Sequence, residues 1–292
     1  MINYPPVSAN TLFHFTGTME ALEGILRNEF YISYCHEDHT LLFSEGTYLY
    51  SVSQWAFPMV CFCDIPLSQI RKHVAVYGQY GIGLTKEWGL GRKVAPVYYL
   101  VKDSVSAEAI RRIFAYSDKA IRVYNDFCER AREIRRKGLA NKHFDEASSV
   151  IDTLCELVAR ANANVLNLVP YIKPYQGIFP RAGEGIINLY DEREWRYVPS
   201  EEALLKRNMC FHVASEIYND PYKLQLFNNQ LRAYFKLSFE PQDVKYIIVK
   251  TEAEVLQMAR RIEEIQTPKY DSNAILELIT RVISMERIFH DF

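Results

Sequence analysis

No apolar run in this sequence is long enough to cross a bilayer, and the first ten residues hold no Lys, no Arg and no hydrophobic segment. Neither a membrane span nor a secretory leader is expected. Charge of one sign is also missing. The chain carries 34 Lys and Arg against 36 Asp and Glu, a formal net charge of -2, so its overall charge gives no general attraction for nucleic acid. The sequence has no glycine loop of the phosphate-binding kind, no dinucleotide fingerprint and no serine nucleophile elbow. Six cysteines lie scattered among mostly apolar neighbours and read as reduced thiols of a cytoplasmic protein. No metal is expected. His36 and His39 stand three apart, and Cys61 and Cys63 two apart, but neither pair has a zinc spacing by itself.

Proline is absent between Pro96 and Pro170, where Ala, Arg, Glu and Leu recur at helical spacing. That pattern predicts helices over about 106–136 and 145–167, broken between Gly138 and Lys142. The organisation that follows has three parts. Residues 1–103 form the N-terminal half of an α+β core, 104–169 a helical insertion, and 170–292 the other half with closing helices. The sheet is expected to be mixed or antiparallel.

What is present is apolar and aromatic. Apolar residues make up 49 %, with 20 Tyr and 16 Phe, enough for one large core. The segment TLFHFT predicts a short strand at 12–15, and Met19, Leu22, Ile25 and Leu26 then follow at helical spacing behind Gly17 or Thr18 as cap. Phe30, Ile32 and Tyr34 alternate as a strand, and Gly46 lies among alternating aromatics further on. MVCFCDI at 59–65, PVYYLV at 96–101 and VKYIIVK at 244–250 read as buried strands. Thr251 and Glu254 have capping-box spacing for a helix that reaches about 264. A last helix is expected over about 272–286.

Four groups of residues could carry chemistry. His14 and Thr16 share one face of their strand; they either point into a cleft or satisfy a local network. Glu192, Arg193, Glu194, Trp195 and Arg196 follow an apolar strand. If they stay extended, Glu192, Glu194 and Arg196 share a face, where paired carboxylates could stabilise positive charge, or where Arg196 could lock one of them in a bidentate pair. Lys173, Pro174 and Tyr175 precede Gly177 as either a stiff connection or part of a site. His73, Tyr77 and Tyr80 form the fourth group. Gly81 and Gly83 flank Ile82 on an expected strand and imply close approach of a neighbouring strand or of a ligand.

The segments LFHFTG, CFCDIPLS (61–68), YGQYGIGLTKEWG (77–89), YIKPYQG (171–177) and YDEREWRYVP (190–199) resemble, in this order, the AbiGi-type proteins. These are abortive phage resistance proteins, described in part as the antitoxin partner of a toxin. The resemblance implies a role in antiviral defence and a toxin protein as partner. A more distant similarity links the opening His-x-Thr strand, a mid-chain Tyr and a late Glu to the ADP-ribosyltransferase fold with its His–Tyr–Glu arrangement. That likeness implies NAD as cofactor. In it, His14 holds the nicotinamide ribose beside Thr16, and Tyr80 or Tyr77 stacks on the nicotinamide, with Tyr175 as a further binding candidate. Glu194, with Glu192 as alternate, stabilises the charge that develops on the ribose carbon. No metal takes part. The opposing expectation is a non-enzymatic antitoxin or interaction module on the same scaffold. A nucleic-acid contact would need a local patch such as Arg130, Arg132, Arg135, Arg136 and Lys137.

Overall fold

A computed structural model describes residues 9–42, 54–178 and 185–291. The Pro5-Pro6 lead-in and the Gly46 stretch lie outside the described residues. Strand β1 (Thr11–Thr16) runs through the whole TLFHFT segment. Its alternation puts Leu12 into one apolar cluster and Phe13 and Phe15 into a second. Helix α1 (Met19–Asn28) starts behind Thr18, whose Oγ accepts the Ala21 N–H at 3.2 Å. It buries Met19, Leu22 and Leu26. The strand expected over 30–34 is two short ones, β2 (Phe30–Tyr31) and β3 (Ser33–His36).

Strand β4 (Ala56–Cys63) begins three residues before the expected start, and Pro58 sits inside it opposite Tyr34. After a 3-10 turn come α2 (Arg71–Tyr77), β5 (Tyr80–Thr85), α3 (Lys86–Gly91), β6 (Ala95–Pro96) and β7 (Tyr98–Leu100). The two glycines of β5 have a packing reason. A Cβ on Gly81 would lie 2.7 Å from the Phe15 ring, and one on Gly83 would lie 2.7 Å from Phe13. The close approach is to side chains of the neighbouring strand. The helical insertion is α4 (Val105–Arg136) and α5 (Lys142–Leu166), capped by Ser104 and Asn141. It joins β7 to β8 (Ile172–Pro174), which pair in parallel.

The chain then forms the hairpin β9 (Gln176–Ile178) and β10 (Ile186–Asn188), followed by β11 (Glu194–Tyr197). Helices α6 (Glu201–Leu205), α7 (Ser215–Tyr218) and α8 (Pro221–Tyr234) lead to β12 (Lys236–Leu237) and β13 (Val244–Val249). Helix α9 (Glu254–Gln266) starts two residues later than the capping-box spacing predicts. Only half of the box forms: the Thr251 N–H donates to the Glu254 carboxylate at 2.9 Å, while residues 251–253 make a turn. The expected last helix is also divided. Helix α10 (Ser272–Ile279) ends, β14 (Val282–Ser284) pairs in parallel with β13, and α11 (Met285–Asp291) closes the described chain. Here the β-branched Val282 and Ile283 meet an unpaired strand edge, and that pairing overrides helical periodicity.

The fold is α+β. Its central sheet has the order β14-β13-β5-β1-β4-β11-β6, with β3 also on β4, and is antiparallel except for the β13–β14 pair. β1 pairs with β5 along all six residues but with β4 only at Phe13 and Cys63. The two strands therefore part just beyond His14's neighbour.

Candidate functional site

Where β1 leaves β4, the Nδ1 atom of His14 lies 2.8 Å from the Cys61 carbonyl oxygen. The ring packs edge-on against Phe30 and Phe62. Burial pushes its pKa below the ordinary value, partly opposed by that carbonyl. His14 therefore fills the parting of the strands and satisfies a backbone group there.

Cys61 is also the meeting point with Glu194, which sits on the other flank of β4. Glu194 and Cys63 are register partners, as are Arg196 and Cys61. The local conformation is set by Arg193, which adopts the left-handed region (φ 43°). That kink ends the 3-10 turn Leu189–Glu192 and starts the strand at Glu194. Strand alternation then aims Glu194 and Arg196 the same way. The kink also interrupts the extended run expected from Glu192, yet Glu192 still reaches the same cluster.

That cluster is built around Glu194. Arg196 Nε donates to one of its oxygens at 2.7 Å, and Nη2 to the other at 3.0 Å. Lys173 Nζ donates to the second oxygen at 2.9 Å and to Glu192 at 2.5 Å. The Cys61 thiol adds a further hydrogen bond to Glu194. Arg196, fully buried, also donates to the Pro170 carbonyl at 2.6 Å and pairs with Glu37 at 2.9 Å. Glu192 accepts from the Tyr77 hydroxyl at 3.1 Å.

Burial alone would raise the Glu194 pKa. The Arg196 guanidinium and the Lys173 ammonium outweigh it and hold the carboxyl well below the usual carboxylate range. Lys173 is held charged by Glu194 and Glu37 against its own burial. Glu192 goes the other way: burial raises its pKa, and Lys173 only partly compensates. His73 stacks on Tyr77 with centroids 4.4 Å apart, and burial pushes it down to about 4. Both oxygens of Glu194 are thus engaged by permanent cations, the arrangement of a buried structural ion pair.

The structure brings together residues from three of the four groups, Lys173, then Glu192, Glu194 and Arg196, then His73 and Tyr77, and His14 of the remaining group adjoins them through Cys61. Tyr175 stands at their rim. Its ring stacks on Tyr190, which meets Tyr99 edge-on, and the Tyr99 hydroxyl accepts the Glu194 N–H at 3.0 Å. Thr16 and Tyr80 are placed differently. They face each other at the end of β1 and β5. Tyr80 borders a depression of about 580 Å3 together with Gly17, Thr18, Lys250 and Gln257, and its hydroxyl donates to Glu254 at 2.9 Å. Neither His14 nor Glu194 lines that depression. Glu37 and Tyr99 were not legible as members of the cluster. Lys173 carried a signal: one Lys between Ile172 and Pro174 in an apolar stretch calls for a buried counter-charge.

Residues 28–250 match the family described as "Putative abortive phage resistance protein AbiGi, antitoxin". The chain belongs to the AbiGi family. It is 28 % identical over 220 residues to the abortive phage resistance protein AbiGi of Lactococcus lactis subsp. cremoris, an alignment covering 68 % of this chain and 73 % of that one. No solved structure matches the chain. The family match spans β3, β4, the helical insertion and β11, so it includes Glu37, Lys173, Glu192, Glu194 and Arg196. His14 lies outside it.

Proposed function

We propose that this AbiGi-family chain is the antitoxin of an abortive phage-infection system and acts by holding its toxin protein through direct contact. The observation that carries this reading is the state of Glu194. A carboxylate that must stabilise positive charge on a substrate needs a free oxygen facing that substrate. Here both oxygens are taken by Arg196 and Lys173. The cluster is read as architecture that fixes β11 and β8 together.

A second reading keeps NAD as a ligand at an ADP-ribosyltransferase-like site. It is favoured by the meeting of His14 and Glu194 at Cys61 and by the Tyr77–Glu192 contact. The residues do not fit NAD as they stand. His14 is packed on Phe30 and Phe62, Tyr80 belongs to another depression, and Glu194 is saturated. No chemical step is assigned through it.

The two readings part in a co-expression experiment. The full chain and the toxin of the same defence locus are produced together, and both growth rescue and co-purification are scored. Tyr77→Phe and Glu192→Gln are expected to rescue growth and retain the toxin as the wild type does. Rescue by the wild type without any retained toxin, lost in Glu192→Gln, would overturn the contact reading in favour of chemistry.

A further inference from the structure

Helices α4 and α5 form an antiparallel hairpin. Tyr124 reaches Asp152, and Arg135 reaches both Asp145 and the Phe144 ring, so late α4 lies beside early α5. The inward positions are the less exposed ones, among them Cys128 and Ala131 on α4 and Ser148, Ile151 and Cys155 on α5. They repeat with the 3-4 spacing of a helix–helix seam.

A second seam runs along each helix, turned to the side of the first. On α4 it comprises Ile113, Tyr116, Ala120, Val123 and Phe127, with Tyr116 69 % and Val123 61 % exposed. On α5 it comprises Val150, Leu154, Leu157 and Ala161, with the first three 55–60 % exposed. Each outer seam sits one residue before the inward one, a rotation of about 100°. Because the helices run in opposite directions, the same step turns both seams toward the same side of the hairpin. The result is one two-helix apolar face, level where Val123 lies beside the Leu154–Leu157 stretch. A surface helix normally has one such stripe; two stripes imply two partners.

We propose that this face docks a second copy of the same hairpin, giving a four-helix bundle between two chains. Charge selects this occupant. Helix α4 carries eight Lys and Arg against five Asp and Glu, whereas α5 carries two against four. A two-fold axis running along the helices lays α4 of one copy antiparallel on α5 of the other, so the basic helix meets the acidic one on both sides of the interface. An axis across the helices would set α4 on α4 and repel. The inference is independent of what the toxin contacts.

Sedimentation equilibrium on the full chain tests it. The wild type is expected at twice the chain's 34.1 kDa. Leu154→Glu with Leu157→Glu is expected to weaken association by about 100-fold or more, which is roughly 2.7 kcal/mol or more. Its far-UV circular dichroism and melting as a monomer stay native, since both side chains are outside the monomer core. Glu146→Lys with Glu156→Lys is expected to weaken association by about tenfold, and added salt to weaken the wild type. Leu276→Glu, an exposed apolar position on α10, leaves the dimer intact. A monomeric wild type overturns the proposal. So does a dimer indifferent to the two leucine substitutions. If the wild type is monomeric and the leucine variant loses the toxin instead, the face belongs to the toxin and the proposal again fails.

Discussion

At the scale of single residues, Glu194 is the test of what the cluster is for. Three carboxylates, from Glu37, Glu192 and Glu194, share two cations, Lys173 and Arg196. Glu194 is the carboxylate that both cations share, so removing it takes a buried partner from Arg196 and from Lys173 at once. Glu194→Gln is therefore expected to lower unfolding free energy by about 3–5 kcal/mol, read from urea denaturation; a loss near zero would mean the pairing is not structural. Acid acts on the same neighbourhood. His39 and His73 are pushed down to about 4 by burial. Unfolded, they titrate near 6.5, so between these values the unfolded chain binds more protons. Their stabilisation is complete above pH 6.5 and is lost as pH falls toward 4. Glu194, depressed by its cations, adds a further loss below its ordinary value of 4.5. Glu192, raised by burial, works in the opposite direction and blunts the slope. Denaturation midpoints should fall from pH 7 to pH 5, and a flat profile would contradict the assignment of buried neutral histidines.

At the scale of elements, β5 and α1 show which sequence signals carried structural information. Gly83→Ala places a methyl against Phe13 and Thr11 and is expected to destabilise by about 1–3 kcal/mol. Thr18→Ala removes the cap of α1, at a cost of about 1 kcal/mol. Both are read from thermal melts of the purified variants, and no change in either would show that the contact is slack. The caps, the two long helices and the buried strands were legible because each depends on local spacing. Helix α4 has no proline, β13 has a clear apolar run, and Thr18 precedes an amphipathic stretch. The last helix divides because Val282 and Ile283 fit helical spacing, and only their partners Ile247 and Ile248 of β13, 35 residues earlier, draw them into a strand. The site divided in the same way. The pairing of Glu194 with Arg196 was legible from their two-residue spacing. The arrival of Lys173, Glu37 and Tyr99 was not, because those contacts depend on tertiary register.

For the whole molecule, the sheet, the insertion and the charged cluster form one account. β8 and β11 bracket the return of the chain from the hairpin, and Lys173 ties one to the other through Glu194. The hairpin is thus anchored at its exit by buried charge, which suits a rigid arm that presents a surface. The measurement that tests the central claim most directly is nicotinamide release from NAD by the purified full chain, followed by chromatography beside folded Glu192→Gln. A contact antitoxin with a structural cluster predicts release no faster than buffer in either sample. Release by the wild type that Glu192→Gln abolishes would contradict that account and make the cluster an active site.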